Sequence, residues 1–171
     1  YLLYCGRIDV NKGCAHLLDG FAAWKQARPQ SKLELVLTGH DVLGVGARPG
    51  VRYLGFVDEA RKFELMAGAL AFVQPSPYES LSLVLLEAWN HGVPALVNGG
   101  CKVLKGQTLR ANGGLYYHHA NEFVEGLTLL ATDEPLALRL GAQGRAHVET
   151  WYRWPRVMAT LEPFLRMVAD A

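Results

Sequence analysis

Two glutamates, Glu79 and Glu87, lie eight positions apart in a segment that is otherwise mostly apolar. Glu79 directly precedes a predicted helix over Ser80–His91, and Glu87 lies two turns inside it. The first N–H groups of a helix have no intrahelical partner and carry a partial positive charge, so those around Ser80–Leu83 could hold a diphosphate. A buried carboxylate needs a hydrogen-bonding partner, and two neighbouring hydroxyls of a ribose would satisfy Glu87. The residues alone support equally well a helix-end charge at Glu79 and an ion pair between Glu87 and a lysine or arginine.

A second candidate binding element is Gly6–Gly13 (GRIDVNKG), which follows the first predicted strand. Glycine allows the backbone to approach a ligand closely, while Arg7 and Lys12 supply cationic donors suited to phosphate oxygens. Taken alone, this motif is more simply interpreted as a solvated turn with two surface charges.

The third candidate is a basic segment, Asn98–Gly114, which is predicted to be a loop. The chain contains no acidic residue from position 88 to position 121, yet Lys102, Lys105 and Arg110 fall there. A basic loop beside a phosphate site would help to hold an anion. A solvated loop without a ligand is the simpler interpretation.

Short apolar runs alternate with helical periods along the chain, as in a protein built from βαβ units. The pattern predicts an α/β fold: a Rossmann-like, doubly wound, mainly parallel sheet with helices on both faces and a C-terminal helical tail. Ligands bind outside the carboxyl ends of the strands in such sheets, so all three candidate segments are expected at one edge. The predicted strands are Leu2–Cys5, Leu33–Thr38, Val51–Leu54, Leu70–Gln74, Val93–Val97 and Leu115–Tyr117. The predicted helices are Cys14–Ala27, Glu59–Ala69 and Ser80–His91. The first has an apolar stripe formed by Leu17, Leu18, Phe21 and Trp24. The tail Ala120–Ala171 is predicted to be helical, with breaks near Asp133–Pro135 and Trp151–Pro155.

Composition narrows the class of protein. A chain of 171 residues with 50% hydrophobic residues is expected to form one globular domain, and its net charge of +1 offers no field that would recruit nucleic acid. The cysteines Cys5, Cys14 and Cys101 are odd in number and include no CxxC pair, which fits a reducing compartment. No apolar run approaches the roughly 18–20 residues of a membrane span, and no signal-peptide pattern is present, so a cytoplasmic location is expected.

Several well-known motifs are absent or incomplete. The Gly44-Val45-Gly46 segment lacks the third glycine of a dinucleotide fingerprint and does not follow the first strand. The chain has neither a GxxxxGK[ST] P-loop nor the GxSxG turn of a hydrolase. His118 and His119 have no spaced cysteine or carboxylate partners, which favours a surface turn over a metal site.

The chain begins inside a predicted strand, Tyr1–Gly6 (YLLYCG), without an initiating methionine. A natural chain seldom starts within a buried strand. The sequence is therefore expected to be one domain of a longer protein.

Taken together, the motifs resemble the C-terminal, donor-binding domain of GT-B fold retaining glycosyltransferases of the family 4 type, the glycosyl transferases group 1. The resemblance covers almost the whole chain, from YCGRIDVNKG and LELVLTG through VRYLGFV to GGLYYHHANEFVEGL and LGAQGRAHVETWYRW. Its most specific element is the order PSPYE, LEA and GVP within LAFVQPSPYESLSLVLLEAWNHGVPALV.

The resemblance implies a role for each matching position. Arg7 and Lys12 would contact the donor diphosphate and stabilise the negative charge that builds on the leaving group. Glu79 would lie beside the transferred sugar, and Glu87 would bind the ribose. The segments Gly39–Asp41 and Phe56–Val57 would border the base. The implied catalytic residues are Glu79, Arg7 and Lys12, and the implied binding residues are Gly6, Arg7, Lys12, Gly39, Phe56, Val57, Glu79, Ser80, Leu81, Ser82, Leu83 and Glu87. No metal and no other cofactor is implied.

The resemblance also implies a division of labour with a domain outside this chain. Residues 1–171 would bind the nucleotide diphosphate sugar, while an N-terminal domain would bind an acceptor sugar, lipid or other small molecule. The domain alone is expected to transfer nothing. Alternatives are a related GT-B enzyme, such as a sugar-nucleotide epimerase or a phosphorylase, and a non-catalytic sugar- or protein-binding module. The presence of Arg7, Lys12, Glu79 and Glu87 together argues against the non-catalytic module.

The sequence departs from the commonest family pattern in several places. Ser80 and Ser82 stand where glycines often follow the first glutamate, which would narrow the space near the sugar. The segment CKVLKGQ replaces a usual acidic residue, and GHD opens the loop at Gly39. In similar enzymes the region after Trp151 crosses back towards the other domain, so some of Trp151, Tyr152 and Trp154 are expected to be exposed, with packing against this domain as the alternative.

Overall fold

A computed structural model describes residues 1–169 of the chain. Six strands and seven helices alternate through most of this length. The strands are β1 (Leu2–Cys5), β2 (Leu35–Thr38), β3 (Val51–Tyr53), β4 (Ala71–Gln74), β5 (Ala95–Asn98) and β6 (Gly114–Tyr117). The helices are α1 (Cys14–Ala27), α2 (Glu59–Ala67), α3 (Leu83–Asn90), α4 (Lys102–Ala111), α5 (Ala120–Thr132), α6 (Glu134–Trp151) and α7 (Trp154–Ala169).

All six strands form one parallel sheet in the order β3-β2-β1-β4-β5-β6. This is the strand order of a Rossmann fold, and it confirms the predicted doubly wound architecture. The order reverses between β1 and β4, where Leu3 pairs with Val36 on one side and Phe72 on the other. Loops that leave the carboxyl ends of β1 and β4 diverge at this point, which opens a crevice for a ligand.

The two faces of the sheet each bury a separate apolar cluster. In β1, Leu2 and Tyr4 pack into one cluster, while Leu3 and Cys5 pack into the other, because successive side chains of a strand point to opposite faces. Helices α1 and α5 cover the first face, and the predicted stripe on α1 is fully buried. Helices α2, α3 and α4 cover the second face. All three cysteines are buried and free.

The predicted basic loop over Asn98–Gly114 is wrong, because most of this segment forms α4. The buried face of α4 consists of Leu104, Gln107, Thr108 and Ala111, at the spacing of a helix. Two of these four buried residues are polar, which hides the apolar period in the sequence. The helix ends at Ala111, and the left-handed conformation of its C-cap residue, Asn112, terminates it before β6.

The start of α3 also differs from the prediction. The helix begins at Leu83 rather than Ser80, with Ser82 as an extended N-cap residue, a position that serine favours. The first helical hydrogen bond runs from Leu86 N to Ser82 O at 3.3 Å. Leu81 and Leu83 are 45% and 65% exposed, although the segment around them is mostly apolar.

The bounds of β1 and α1 are as predicted, and the remaining boundaries shift by at most two residues. The tail breaks as predicted, at Asp133 between α5 and α6 and at Tyr152 before α7. Asp133 Oδ1 accepts a hydrogen bond from Leu136 N at 2.9 Å and so caps α6. Trp151 and Trp154 are exposed, as expected. The final helix was predicted to reach Ala171, but residues 170 and 171 lie outside the described part of the chain.

A membrane-spanning helix must be both long and almost wholly apolar. None of the described helices combines the length and the apolar character needed to cross a bilayer.

Candidate functional site

A cavity of about 470 Å³ opens at the carboxyl ends of β1, β2 and β4, where the strand order reverses. The loop after β1, the loop after β2, the residues after β3 and the start of α3 form its walls. Eleven of the twelve residues predicted for a binding site line it: Gly6, Arg7, Lys12, Gly39, Phe56, Val57, Glu79, Leu81, Ser82, Leu83 and Glu87. Segments that are far apart in the sequence therefore meet at one site.

The twelfth predicted residue, Ser80, lies outside this cavity. It faces a neighbouring depression that it shares with Tyr78 and Lys102. Ser80 lies three residues before Leu83, the first residue of α3, and so outside the helix whose start lines the cavity. The prediction that Ser80 belongs to the helix N-terminus is wrong for the same reason.

Two glycines allow the loops around the cavity to pack against each other. A side chain on Gly13 would collide with the carbonyl oxygen of Pro75, and one on Gly39 would collide with that of Gly6. Both glycines have positive φ angles, 73° and 129°. The expected role of glycine was an approach to a ligand, but at Gly13 and Gly39 the close contact is between loops.

The loop after β1 is organised by Asp9, which no pattern in the sequence had indicated. Its Oδ1 accepts a hydrogen bond from Lys12 N at 2.7 Å, and its other oxygen pairs with Arg7 Nε. Desolvation acts to raise the pKa of Asp9, but the hydrogen bonds from Lys12 N and the Arg7 guanidinium outweigh it and lower the pKa. Asp9 therefore stays ionised and holds Arg7 at the edge of the cavity.

Glu79 is the centre of a polar network that joins two loops. Its Oε1 accepts hydrogen bonds from Lys12 Nζ at 2.8 Å and from Gln74 Nε2 at 3.1 Å. The Glu79 side chain is only 12% exposed. Since Glu79 lies four residues before α3 and pairs with Lys12, it is not the helix-end charge considered from the sequence.

Glu87 pairs with Lys62 of α2, with Nζ 2.8 Å from Oε2. The ion pair that the sequence left open as an alternative is thus present. Both side chains nevertheless line the cavity, and Glu87 is half-buried rather than fully buried. A ligand at this wall would meet a carboxylate that is already held in place.

The N-terminus of α3 points towards the same cavity, which Leu83 and Val84 line. Helical hydrogen bonds begin at Leu86 N, so the N–H groups of Leu83, Val84 and Leu85 precede the helical ladder. Ser82 provides no side-chain cap for them. These donors lie between Glu79 and Glu87 in the chain and are three positions later than predicted.

At the opposite wall, His40 and Phe56 stack with their ring centroids 5.4 Å apart. Phe56 is 73% exposed, so one face of this pair is free to contact a planar group. Asp41, expected at the same border, instead accepts hydrogen bonds from Gly44 N and Val45 N within its own loop.

The sequence did not predict that Cys5, Lys62 and Gln74 line the cavity. Gln74 carried a signal, since it is a polar residue at the end of the apolar strand β4. Lys62 carried none that distinguished it from its neighbour Arg61 on α2. Burial raises the pKa of Cys5 to about 12 despite the nearby Lys62 ammonium, which favours the neutral thiol over the thiolate.

Within residues 1–169, no cluster of three or more histidine, cysteine or acidic side chains could hold a metal ion. His118 and His119 lie on the surface, as expected of a turn. His118 N donates a hydrogen bond to Glu122 at 2.6 Å, and its ring lies 3.5 Å from Lys105 Nζ.

Known proteins share both the sequence pattern and this architecture. A family model described as glycosyl transferases group 1 matches residues 1–133. O-antigen chain mannosyltransferase B of Escherichia coli is 35% identical over 106 residues, which cover 56% of this chain and 28% of that protein. Mannosylfructose-phosphate synthase of Agrobacterium fabrum is 25% identical over 181 residues, which cover 94% of this chain and 39% of that protein.

Solved structures show the same fold. The C-terminal domain of a group 1 glycosyl transferase from Francisella tularensis superposes with a TM-score of 0.75 at 17% identity, over 90% of this chain and 87% of that one. An Anabaena protein solved in complex with UDP superposes with a TM-score of 0.78 at 18% identity, over 99% of this chain and 48% of that one. The chain spans well under half the length of the two curated relatives described above.

Proposed function

Because the chain belongs to the glycosyl transferases of group 1, we propose that it binds the nucleotide diphosphate sugar of a retaining hexosyltransferase. Residues 1–171 are proposed to be the C-terminal, donor-binding domain. An N-terminal domain of the same enzyme would supply the acceptor, and the domain alone would bind donor without transferring sugar. The similar length of the Francisella tularensis C-terminal domain supports this division.

One arrangement carries the proposal: cations and a helix N-terminus face a cavity that also contains Glu79 and Glu87. Arg7, Lys12 and the first N–H groups of α3 would bind the diphosphate, because charge-assisted and backbone hydrogen bonds are both suited to phosphate oxygens. A volume of about 470 Å³ is in the range of small-molecule sites.

The remaining walls fit the other parts of such a donor. Glu87, held by Lys62 at 2.8 Å, would accept hydrogen bonds from the two ribose hydroxyls. The exposed face of Phe56, with Gly39 and Val57, would border the base. Glu79 would face the sugar, since its contact with Lys12 places its carboxylate next to the proposed diphosphate position.

The proposed chemistry follows from these positions. Departure of the nucleoside diphosphate develops negative charge on the oxygen that leaves the anomeric carbon. Arg7, Lys12 and the N-terminus of α3 would stabilise this charge, and fixed donors do so without reorganising during the reaction. In this proposal these groups do the work of a divalent metal ion, so binding and transfer would not require one.

A ligand panel tests the proposal. We expect UDP, GDP or ADP, and a sugar conjugate of the same nucleotide, to raise the melting temperature, because a ligand of the native state stabilises it. The shift should persist in EDTA. Calorimetry should give the same ranking of ligands. Arg52→Ala is a control variant and should show the same melting-temperature shifts as the unmodified protein. Arg52 pairs with Glu34 on the surface at 3.1 Å and does not line the cavity.

Two outcomes would contradict parts of the proposal. If no nucleotide or nucleotide sugar binds at millimolar concentration, the site is not a donor site. If the purified 171-residue chain transfers sugar from any donor to an acceptor, the division between two domains is wrong.

A further inference from the structure

Gln74 is the last residue of β4 and is only 4% exposed, although it lines the cavity. Its Nε2 donates to Glu79 Oε1 at 3.1 Å, and Lys12 Nζ donates to the same oxygen at 2.8 Å. Two donors on one oxygen fix the rotation of the carboxylate. Among residues 1–169, no donor contacts Glu79 Oε2, so this oxygen is left to accept a hydrogen bond from a ligand.

Two buried polar atoms near Glu79 also lack partners among the described residues. They are Gln74 Oε1 and Ser82 Oγ, and both residues line the cavity. Ser82 is 2% exposed and occupies the N-cap of α3, where a serine hydroxyl ordinarily accepts a hydrogen bond from the helix. Here it makes no such bond. A buried amide oxygen or hydroxyl without a partner is unfavourable, so a ligand group that pairs with it is favoured.

The chemistry of these atoms restricts what the ligand must offer. Glu79 Oε2 and Gln74 Oε1 are acceptors, while Ser82 Oγ can accept or donate. A ligand that satisfies them needs several hydrogen-bond donors close together. Neighbouring hydroxyls on a sugar ring meet this requirement, whereas the oxygens of a diphosphate are acceptors and do not.

We propose that Gln74 and Ser82 determine specificity for the transferred sugar: Gln74 orients Glu79, and Gln74 and Ser82 pair with sugar hydroxyls. This inference rests on the proposed donor site. It assigns to Gln74 a positioning role through Glu79 as well as a direct contact. It also separates recognition of the sugar from recognition of the diphosphate, which Arg7 and Lys12 provide.

The experiment compares each nucleotide with its sugar conjugate by calorimetry, using UDP with UDP-glucose and GDP with GDP-mannose. In Gln74→Met, we expect the sugar conjugate to bind roughly 5- to 20-fold more weakly, while the free nucleotide changes by less than about twofold. A change confined to the sugar conjugate identifies recognition of the sugar. Equal weakening of nucleotide and conjugate, or no weakening of either, would overturn the proposal.

The chain offers a matched control for the glutamine. Gln107 of α4 is 1% exposed, also has unpaired amide atoms among the described residues, and does not line the cavity. Gln107→Met should leave unchanged the difference in affinity between each nucleotide and its sugar conjugate. If it lowers this difference as much as Gln74→Met does, the effect is a general consequence of changing a buried glutamine and the proposal fails.

Ser82→Ala provides a second variant in case Gln74→Met does not fold. Because the Ser82 hydroxyl does not cap α3, its removal is expected to preserve the helix. The sugar conjugate should bind roughly 2- to 5-fold more weakly, with the free nucleotide unaffected. An unchanged affinity for the conjugate would show that the Ser82 hydroxyl does not bind the sugar.

A pH profile tests whether Gln74 acts through Glu79. The substitution Gln74→Glu places a second carboxyl beside Glu79, and two adjacent carboxylates favour a shared proton. We expect the conjugate to bind weakly near about pH 7.5 and to recover near about pH 5.5, where the introduced carboxyl is protonated and donates as the amide does. The other charged or titratable groups of the cavity are common to both proteins: Tyr4, Cys5, Arg7, Lys12, His40, Lys62 and Glu87. The same pH dependence in variant and unmodified protein would overturn the positioning role.

The two levels of inference fail in different ways. If the unmodified protein binds neither nucleotides nor their conjugates, the proposed function is wrong and this inference falls with it. If it binds both, and changes at Gln74 and Ser82 do not affect the conjugate selectively, only the assignment of sugar specificity is wrong.

Discussion

Lys62 of α2 and Glu87 of α3 form an ion pair across one wall of the cavity, with Nζ 2.8 Å from Oε2. Both side chains are partly exposed, at 23% and 29%, so the pair faces the space that a ligand would occupy. Lys62 Nζ also lies 4.7 Å from the centre of the Phe63 ring, a cation–π contact that further restrains it. A carboxylate held in this way loses little freedom when a ligand binds.

Glu87→Gln is expected to weaken binding of ribonucleotides by about 1.5–3 kcal/mol, because hydrogen bonds to a charged group contribute on this scale. Inorganic pyrophosphate, which has no ribose, should bind with unchanged affinity. Competition calorimetry with both ligands measures the difference. Glu64→Gln is the control, since Glu64 also pairs with a cation of α2, Arg61 at 2.7 Å, but on the exposed side of the helix. Equal losses for the two ligands would show that Glu87 does not contact the ribose.

Arg7→Ala and Lys12→Ala should each weaken nucleoside diphosphate binding by about 1–3 kcal/mol, the scale of a charge-assisted hydrogen bond. The loss should shrink in concentrated salt, because Arg7 is largely exposed and its charge is screened. Arg145→Ala is a matched control, since Arg145 also pairs with a nearby carboxylate, Glu149 at 3.0 Å, and lies on α6 outside the cavity. Unchanged affinity in both cavity variants would exclude these cations from the diphosphate site.

Gly13→Ala should destabilise the protein more than Gly55→Ala, as measured by urea unfolding. The two glycines have nearly the same φ angle, 73° and 74°, so the backbone penalty of about 1–3 kcal/mol is shared. Only at Gly13 would the added methyl group collide with Pro75, and this overpacking should add about 1–3 kcal/mol. An equal loss of unfolding free energy in both variants would show that the loops after β1 and β4 can move apart without destabilising the protein.

Stability should fall below neutral pH partly because of His147 on α6. Desolvation, with a smaller contribution from Arg110, lowers the pKa of His147 in the folded protein. Protonation therefore favours the unfolded state, and the penalty develops as the pH drops through the ordinary pKa of histidine towards the lower folded value. His147→Gln should reduce the loss of melting temperature on moving from about pH 7.5 to about pH 5.

The control for that measurement is His16→Gln, a substitution of an exposed histidine on α1. It should leave the pH dependence of the melting temperature as it is in the unmodified protein. If His147→Gln behaves in the same way as His16→Gln, His147 does not contribute to acid sensitivity.

Local signals in the sequence account for the fold and for most of the predicted residues that line the cavity. The apolar run Leu2–Cys5 and the stripe on α1 predicted their elements with the observed bounds. A strand buried on both faces is a continuous apolar run, and a helix buried on one face repeats its apolar residues every 3.6 positions. Helix α4 was missed because Gln107 and Thr108 occupy part of its buried face. Serine at position 82 is an N-cap residue rather than a helical one, and only the backbone angles distinguish the two.

The sequence by itself determined a doubly wound, mainly parallel sheet and placed the predicted site residues at its carboxyl edge. These follow from local patterning and from rules that connect βαβ units in one hand. Only the tertiary structure decided the partners of the charged side chains. Glu87 pairs with Lys62, and Glu79 pairs with Lys12 and Gln74, from segments 25, 67 and 5 residues away. Such pairings depend on distances of a few ångströms between elements, and the residue types that make them occur throughout the surface, so no local pattern identifies them.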